Sequence, residues 1–162
     1  MNTREKILPL DTLVERLEGE RRRGRRIVMA NGCFDLLHAG HIRFLEGAQR
    51  EGDVLVVAVN SDASERRLKG PGRPVLPAEG RAQLVAAVGV VDYVVVFDES
   101  DVGPLLERLR PDVHAKGTDY TAESVPESSV ARQLGIGVAI VGDPKRHSSA
   151  DLIERIRKAS HG

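Results

Sequence analysis

Short apolar runs alternate along this chain with longer stretches whose apolar residues stand three and four apart, and that alternation constrains the fold more than any other feature. Val54–Val59 and Val94–Phe97 are almost continuously apolar and rich in β-branched residues. A strand with one wet face alternates polar and apolar side chains, whereas an unbroken run marks a strand covered on both faces, as in parallel sheets. Ile27–Ala30 reads as the first such strand, and Val113–Ala115 and Val138–Val141 as two more. Leu10, Leu13, Val14 and Leu17 share one helical face, which predicts an N-terminal helix over about residues 9–20. Further helices are expected at about His41–Arg50, Ala78–Val88, Val102–Leu109, Glu127–Leu134 and Ser149–Lys158. This pattern describes an α/β chain built as a doubly wound, Rossmann-like, five-stranded parallel sheet with helices on both faces. Lys69–Pro77 contains three prolines and two glycines but is too short for a domain linker, so it reads as a surface loop. Residues 1–162 are expected to form one domain, the N-terminal helix followed by a core over 26–162.

Composition removes several classes of function. A single cysteine cannot form an internal disulfide, which points to a reducing compartment and makes the cytoplasm the expected location. No apolar run approaches the ~20 residues of a membrane-spanning helix, and Met1–Leu10 has no long apolar stretch of the kind a signal peptide carries. With 24 Lys+Arg against 24 Asp+Glu the net charge is 0, which argues against a protein that coats nucleic acid. The run Arg21–Arg26 reads as a solvated helix end favourable to the helix dipole. The expected partners are therefore small molecules, with neither nucleic acid nor membrane.

Chemistry concentrates directly after the first predicted strand, in Asn31-Gly32-Cys33-Phe34-Asp35-Leu36-Leu37-His38-Ala39-Gly40-His41, with a helical pattern beginning at Ile42. In a doubly wound sheet, ligands bind beyond the carboxyl ends of the strands, where the strand order reverses. The first turn of a helix there presents unpaired N–H groups and the positive end of the dipole to an anion. His38 and His41, three apart, project to the same side. Two imidazoles beside free amides make a donor array suited to a phosphorus centre that gains charge on its oxygens. Gly40 is expected to leave room for the approaching phosphate.

Plainer readings stand beside this one. A loop histidine is commonly structural, and Gly32 and Gly40 serve turns equally well. Cys33, His38 and His41 offer three ligands within nine residues, but the spacing fits no usual zinc pattern and no second cluster completes it. A Cys33–His38 nucleophilic pair is disfavoured because such pairs normally meet from distant parts of a chain. A dinucleotide-dependent dehydrogenase is disfavoured because no Gly-x-Gly-x-x-Gly follows the first strand.

Asn31–Asp35 with His38-Ala39-Gly40-His41 resembles the motif of the HxGH nucleotidyltransferase superfamily, in its cytidylyltransferase-like branch. The resemblance extends through Asn60-Ser61-Asp62, Arg66–Gly70, Gly72-Arg73-Pro74, Arg81, Lys116-Gly117-Thr118-Asp119-Tyr120 and Ser148-Ser149. Across these stretches the chain is similar to D-glycero-β-D-manno-heptose 1-phosphate adenylyltransferases, either as half of a bifunctional heptose synthesis enzyme or in stand-alone form. The resemblance implies transfer of AMP from ATP to a heptose 1-phosphate, yielding ADP-heptose and pyrophosphate for the inner core of lipopolysaccharide. It also implies a homodimer, Mg²⁺ accompanying ATP without a protein metal site, and a separate kinase to make the heptose 1-phosphate.

On this reading His38, His41 and Lys69 are the catalytic candidates. Asn31, Gly32, Cys33, Phe34, Gly40, His41, Lys116, Gly117, Ser148 and Ser149 are candidates for binding nucleotide. Asp35, Asn60, Asp62, Arg73, Arg81, Asp119 and Tyr120 are candidates for binding substrate. Lys69, in a Gly/Pro-rich loop after the second expected helix, is placed to swing over a phosphate, although on the residues alone a solvated loop lysine is the simpler reading. Arg81 near a helix start is electrostatically poor unless an anion lies nearby. Asp35 is open to three roles: orienting the loop, touching substrate or helping to place Mg²⁺. Ser148 reads as the N-cap of the last helix, whose apolar face is Leu152, Ile153 and Ile156, and its hydroxyl and amides also suit phosphates. His147-Ser148-Ser149 departs from the Ser-Thr-Thr more common in close relatives. Alternatives from the same residues are a cytidylyltransferase for glycerol 3-phosphate or a related phospho-alcohol, and a non-catalytic nucleotide-binding module.

Overall fold

The middle of the protein is filled by β-branched residues because helices cover both faces of its sheet. A computed structural model describes residues 2–121, 126–144 and 148–162. Among these, β1 (Ile27–Gly32), β2 (Val54–Asn60), β3 (Tyr93–Phe97), β4 (Val113–Lys116) and β5 (Gly137–Ile140) form one sheet in the order β3-β2-β1-β4-β5. Every pairing is parallel, with Ile27 beside Val54 on one side of β1 and Val28 beside Val113 on the other. The described residues also form seven α-helices: α1 (Leu10–Arg22), α2 (Ala39–Gln49), α3 (Asp62–Lys69), α4 (Ala78–Ala86), α5 (Gly103–Leu109), α6 (Ser128–Gln133) and α7 (Ser149–Ser160). The chain runs outward through β1, β2 and β3, then returns to β4 on the other side of β1, so the order reverses between β1 and β4. This is the doubly wound class that the apolar pattern predicts.

Alternate residues of each strand feed two cores. Ile27, Met29, Val54, Val56, Ala58, Tyr93 and Val95 pack with Leu13 and Leu17 of α1, Leu105, Leu106 and Leu109 of α5, and Ala131 of α6. Val28, Ala30, Leu55, Val57, Val59 and Val94 pack with Leu45 and Ala48 of α2 and with Ala82, Val85 and Ala86 of α4. All seven residues of β2 are buried, as its unbroken apolar run requires. Three aspartates order the entry to the sheet: Asp53, Asp92 and Asp112 accept the N–H groups of Arg26, Leu55 and Ile27.

Four features differ from the sequence reading. A 3-10 turn at Thr3–Lys6 precedes α1, and the segment after it lies along β3, with Ile7 bridging Val94 and the Leu8 N–H donating to the Val94 carbonyl at 2.9 Å. Lys69 does not lie in a loop: it is the last residue of α3, a helix that apolar periodicity misses because Ser64 and Glu65 are the residues it buries while Leu68 is 52% exposed. Ser61 caps that helix, and Gly70 ends it at a φ of 94°. Arg21 is more than a solvated helix end, since its guanidinium donates to the Leu109 and Arg110 carbonyls at the end of α5. The expected apolar face of α7 has no buried residue, and Ile156 is 58% exposed.

Candidate active site

A crevice of about 820 Å³ opens at the carboxyl ends of the strands, across the point where the strand order reverses. That is the expected ligand position in an open parallel sheet. It collects the loop after β1, the end of α3, the loop after β4 and the start of α7. Of the sequence candidates, Asn31, Gly32, Cys33, Phe34, Asp35, His38, Gly40 and His41 from the first segment all line it. Asn60, Lys69, Arg73, Lys116, Gly117, Asp119, Tyr120, Ser148 and Ser149 join them from distant parts of the chain. Asp62 and Arg81 do not line it.

The histidine pair is built by the start of α2. His38 is the N-cap, and its Nδ1 accepts the Gly40 N–H at 3.1 Å, while the His41 Nδ1 accepts the His38 N–H at 3.3 Å. The reciprocal arrangement is a capping box in which imidazoles replace the usual hydroxyl and carboxylate. The rings stack with centroids 3.9 Å apart and planes at 25°. Because each Nδ1 accepts, the ring proton of each imidazole sits on Nε2, which makes both residues donors through Nε2. A Cβ on Gly40 would lie 2.9 Å from His38 Cε1 and 3.0 Å from its Nδ1, so a larger residue there would displace the His38 ring. Phe34 at φ 51° and Leu36 at φ 57° give the preceding loop its tight path, and the Phe34 ring packs 5.4 Å from that of His41.

Beneath this loop lies a buried charge cluster. Asp35 is 1% exposed, and its carboxylate accepts Arg73 Nε at 3.1 Å, the Val75 N–H at 2.7 Å and the Leu76 N–H at 3.0 Å. Burial works to raise its pKa, but these donors outweigh burial and hold it below the ordinary carboxylate value. These bonds tie the loop after β1 to the segment Arg73–Leu76, the loop-orienting arrangement among the three roles open to Asp35. Glu65 lies beside it, 3.2 Å from Arg73 and 3.3 Å from Arg81, and neither approach has hydrogen-bond alignment. Burial, then Asp35, pushes the Glu65 pKa up to about 7.

Arg81 is fully buried and donates to the carbonyls of Leu76, Cys33 and Asn60 and to the Asp62 carboxylate. The anion that its position in the first turn of α4 demands is thus supplied by the protein itself. Asp62 also accepts the Ala78 N–H, which ties the start of α3 to the start of α4. Burial, then the Glu65 charge, pushes the Cys33 thiol up to about 11, which leaves it unreactive.

The opposite wall comes from β4. Lys116 is 9% exposed, with Nζ 4.6 Å above the Tyr120 ring; burial lowers its pKa, while Glu127 and Asp119 favour its charge. Ser148 caps α7 by accepting the Asp151 N–H at 3.0 Å, and the Ser149 hydroxyl donates to the Asp35 carbonyl, which ties α7 to the histidine loop. His147 lies outside the described residues.

Sequence reasoning missed Arg43, Glu65, His114 and Glu127. Arg43 lines the crevice from the first turns of α2 and pairs with Asp143, and Glu127 lines it while 8% exposed. His114, in β4, is fully buried with Nε2 2.8 Å from Asn31 Oδ1. A histidine inside an apolar strand was the one available signal for it. Among the described residues no three His, Cys, Asp or Glu side chains converge as metal ligands would, and no helix is long and apolar enough to cross a membrane.

Comparison with known proteins places the chain among relatives. Residues 29–155 match the model of a family described as cytidylyltransferase-like. The bifunctional protein HldE of Syntrophotalea carbinolica is 48% identical over 151 residues, 93% of this chain and 31% of that protein. HldE of Geobacter sulfurreducens is 46% identical over 154 residues, 95% of this chain and again 31% of the relative. The chain thus spans about a third of the length of these relatives. A crystal structure of the lipopolysaccharide core biosynthesis protein from Thermoplasma volcanium superposes with a TM-score of 0.64 at 34% identity, covering 76% of this chain and 100% of that one.

Proposed function

The chain belongs to the cytidylyltransferase-like family, and from that premise we propose that it is a sugar 1-phosphate adenylyltransferase acting on ATP and D-glycero-β-D-manno-heptose 1-phosphate. The observation that carries nucleotidyl transfer is the stacked pair His38 and His41 at the start of α2, both rings donating through Nε2 at the mouth of the crevice. The heptose rests on the resemblance to heptose 1-phosphate adenylyltransferases and on the similarity to the bifunctional relatives.

An oxygen of the sugar phosphate attacks the α-phosphorus of ATP in line, the bond to the β-phosphate oxygen breaks, and pyrophosphate leaves on the opposite side. No covalent enzyme intermediate is needed, so positioning and charge stabilisation do the work. His38 and His41 donate to the α-phosphate and the leaving group as charge develops there. Lys69, exposed at the end of α3, brings a point charge over the phosphates. The first amides of α7 and Ser148 suit the β- and γ-phosphates, and Lys116 with Tyr120 forms the wall against which nucleotide or sugar rests. Mg²⁺ would arrive on the triphosphate as part of the substrate, since it keeps waters and substrate phosphates as ligands and needs few carboxylates. A kinase acting on heptose must supply the 1-phosphate, and a homodimer in the cytoplasm completes the proposal.

The test is pyrophosphate release with Mg²⁺ from ATP or CTP, paired with the heptose 1-phosphate or glycerol 3-phosphate, with His38→Ala as control. Release with ATP and the heptose phosphate alone, lost in the variant, is the expected result. Release with CTP and glycerol 3-phosphate would replace the sugar reading, and nucleotide binding without release in any pairing would leave a non-catalytic module.

A further inference from the structure

We infer that His114 is a positioning residue that locks the Asn31 side chain with its NH₂ edge toward the crevice, making Asn31 a fixed donor to an oxygen of the bound nucleotide or sugar phosphate. The inference rests on the reading of the crevice as a nucleotidyl-transfer site.

The two residues meet across the β1–β4 pair, where the strand order reverses. His114 is fully buried, its Nε2 lies 2.8 Å from Asn31 Oδ1, and its Nδ1 has no hydrogen-bond partner. Two arrangements are conceivable, and their costs differ. A proton on Nε2 makes the bond to Oδ1 and leaves only a lone pair unpaired at Nδ1. A proton on Nδ1 buries an N–H with no acceptor and requires the amide to be turned over, which costs the full desolvation of that donor. A charged ring is excluded by burial and by Lys116 two residues away, which hold the imidazole neutral, its pKa pushed down to about 3. His114 is therefore a donor at every pH at which the protein works, and Asn31 must accept through Oδ1.

The consequence falls on the other end of the amide. Asn31 is half-buried and lines the crevice, and its Nδ2 makes no hydrogen bond among the described residues. With Oδ1 held from behind, the NH₂ group is the end left for a ligand. An amide free to turn over would present oxygen lone pairs to a phosphate for part of the time, so the lock preorganises a donor as an oxyanion site requires. The arrangement also places the hydrogen bond behind the ligand, where no solvent competes with it.

The test uses the full chain and two readouts. Long-range nitrogen–proton correlation spectra of the His114 ring should show the neutral Nε2–H form unchanged from about pH 5.5 to about pH 8; an Nδ1–H form, or titration in that range, would overturn the inference whether or not the protein turns over substrate. His114→Phe, which keeps the ring volume and removes the donor, should lower kcat/KM for ATP by roughly tenfold or more. In an Asn31→Ala background the same change should cost less than about twofold, because the residue through which it acts is gone. Equal losses in both backgrounds would mean that His114 serves packing alone. Absence of turnover in the unsubstituted protein would refute the proposed function and leave the spectroscopic result to decide the lock.

Discussion

Replacing Glu65 with Gln should change the slope of stability against pH more than stability itself. The Glu65 side chain is fully buried among Asp35, Arg73, Arg81 and Cys33, and it faces both guanidiniums without an aligned hydrogen bond to either. Burial and the Asp35 charge raise its pKa from 4.5 to about 7 in the folded protein. A carboxyl whose folded pKa is raised contributes stability that is complete below its unfolded pKa and is lost as pH rises through the folded value. Between about pH 5.5 and about pH 8.5 the unfolded chain carries Glu65 ionised throughout, whereas the folded protein keeps the proton for the first half of that interval. At roughly 1.4 kcal/mol for each pH unit, the wild type should lose on the order of 2 kcal/mol relative to Glu65→Gln across that range. Between these pH values the difference reads Glu65, because its neighbours Asp35, held low, and Cys33, held high, titrate outside the range in the folded protein. Urea unfolding at a series of pH values reads it directly as diverging midpoints at constant m. Parallel curves, or a wild type that gains on the variant as pH rises, would mean that Arg73 and Arg81 hold Glu65 ionised and that burial is not the dominant influence.

Arg81→Ala should lower stability by about 3–5 kcal/mol, seen as a large drop in unfolding midpoint, because it strips a donor from three carbonyls and Asp62 and a countercharge from the buried Glu65; a well-folded variant with only a raised KM would restore Arg81 to the list of phosphate ligands. His41→Ala should reduce kcat by on the order of 10²–10³ in a pyrophosphate-release assay, the cost of one preorganised donor, and unchanged turnover would remove His41 from the mechanism. Gly40→Ala should leave thermal stability within about 1 kcal/mol, since Ala favours a helix, yet reduce turnover roughly tenfold or more by displacing the His38 ring; full activity would show that the stacked geometry is dispensable.

The sheet was legible because burial on both faces writes itself into β2 and β3 as unbroken apolar runs. The arrangement of the histidine loop was legible because its residues are contiguous and its geometry depends on a local event, the start of a helix. α3 was not, because it docks through Ser64 and Glu65 instead of an apolar stripe, and its recognition needs the Asn60, Glu99 and arginine partners that only the folded chain supplies. Arg81 was misread for a related reason: the charge argument correctly demanded an anion near the start of α4, but the anions are Asp62 and Glu65, brought from a helix the periodicity did not reveal. His114 and Asn31 lie 83 positions apart, and nothing in either segment alone states that they meet.

The segment laid along β3 bears on how the protein is lost as well as how it holds together. β3 is the outermost strand of its half of the sheet, and Ile7 and Leu8 occupy its otherwise unpaired backbone edge. An uncovered strand edge is a template for pairing with another molecule. This cover is held by one bridge, the Leu8 bond, a Lys6 contact to the Val91 carbonyl and the packing of Ile7 and Leu8 against the two cores, with no buried residue in the preceding turn. Local opening of this segment would therefore bare the edge at the cost of the Ile7 and Leu8 packing while the fully buried residues of both cores stay in place, so aggregation is reached by an opening whose cost is a fraction of that of global unfolding.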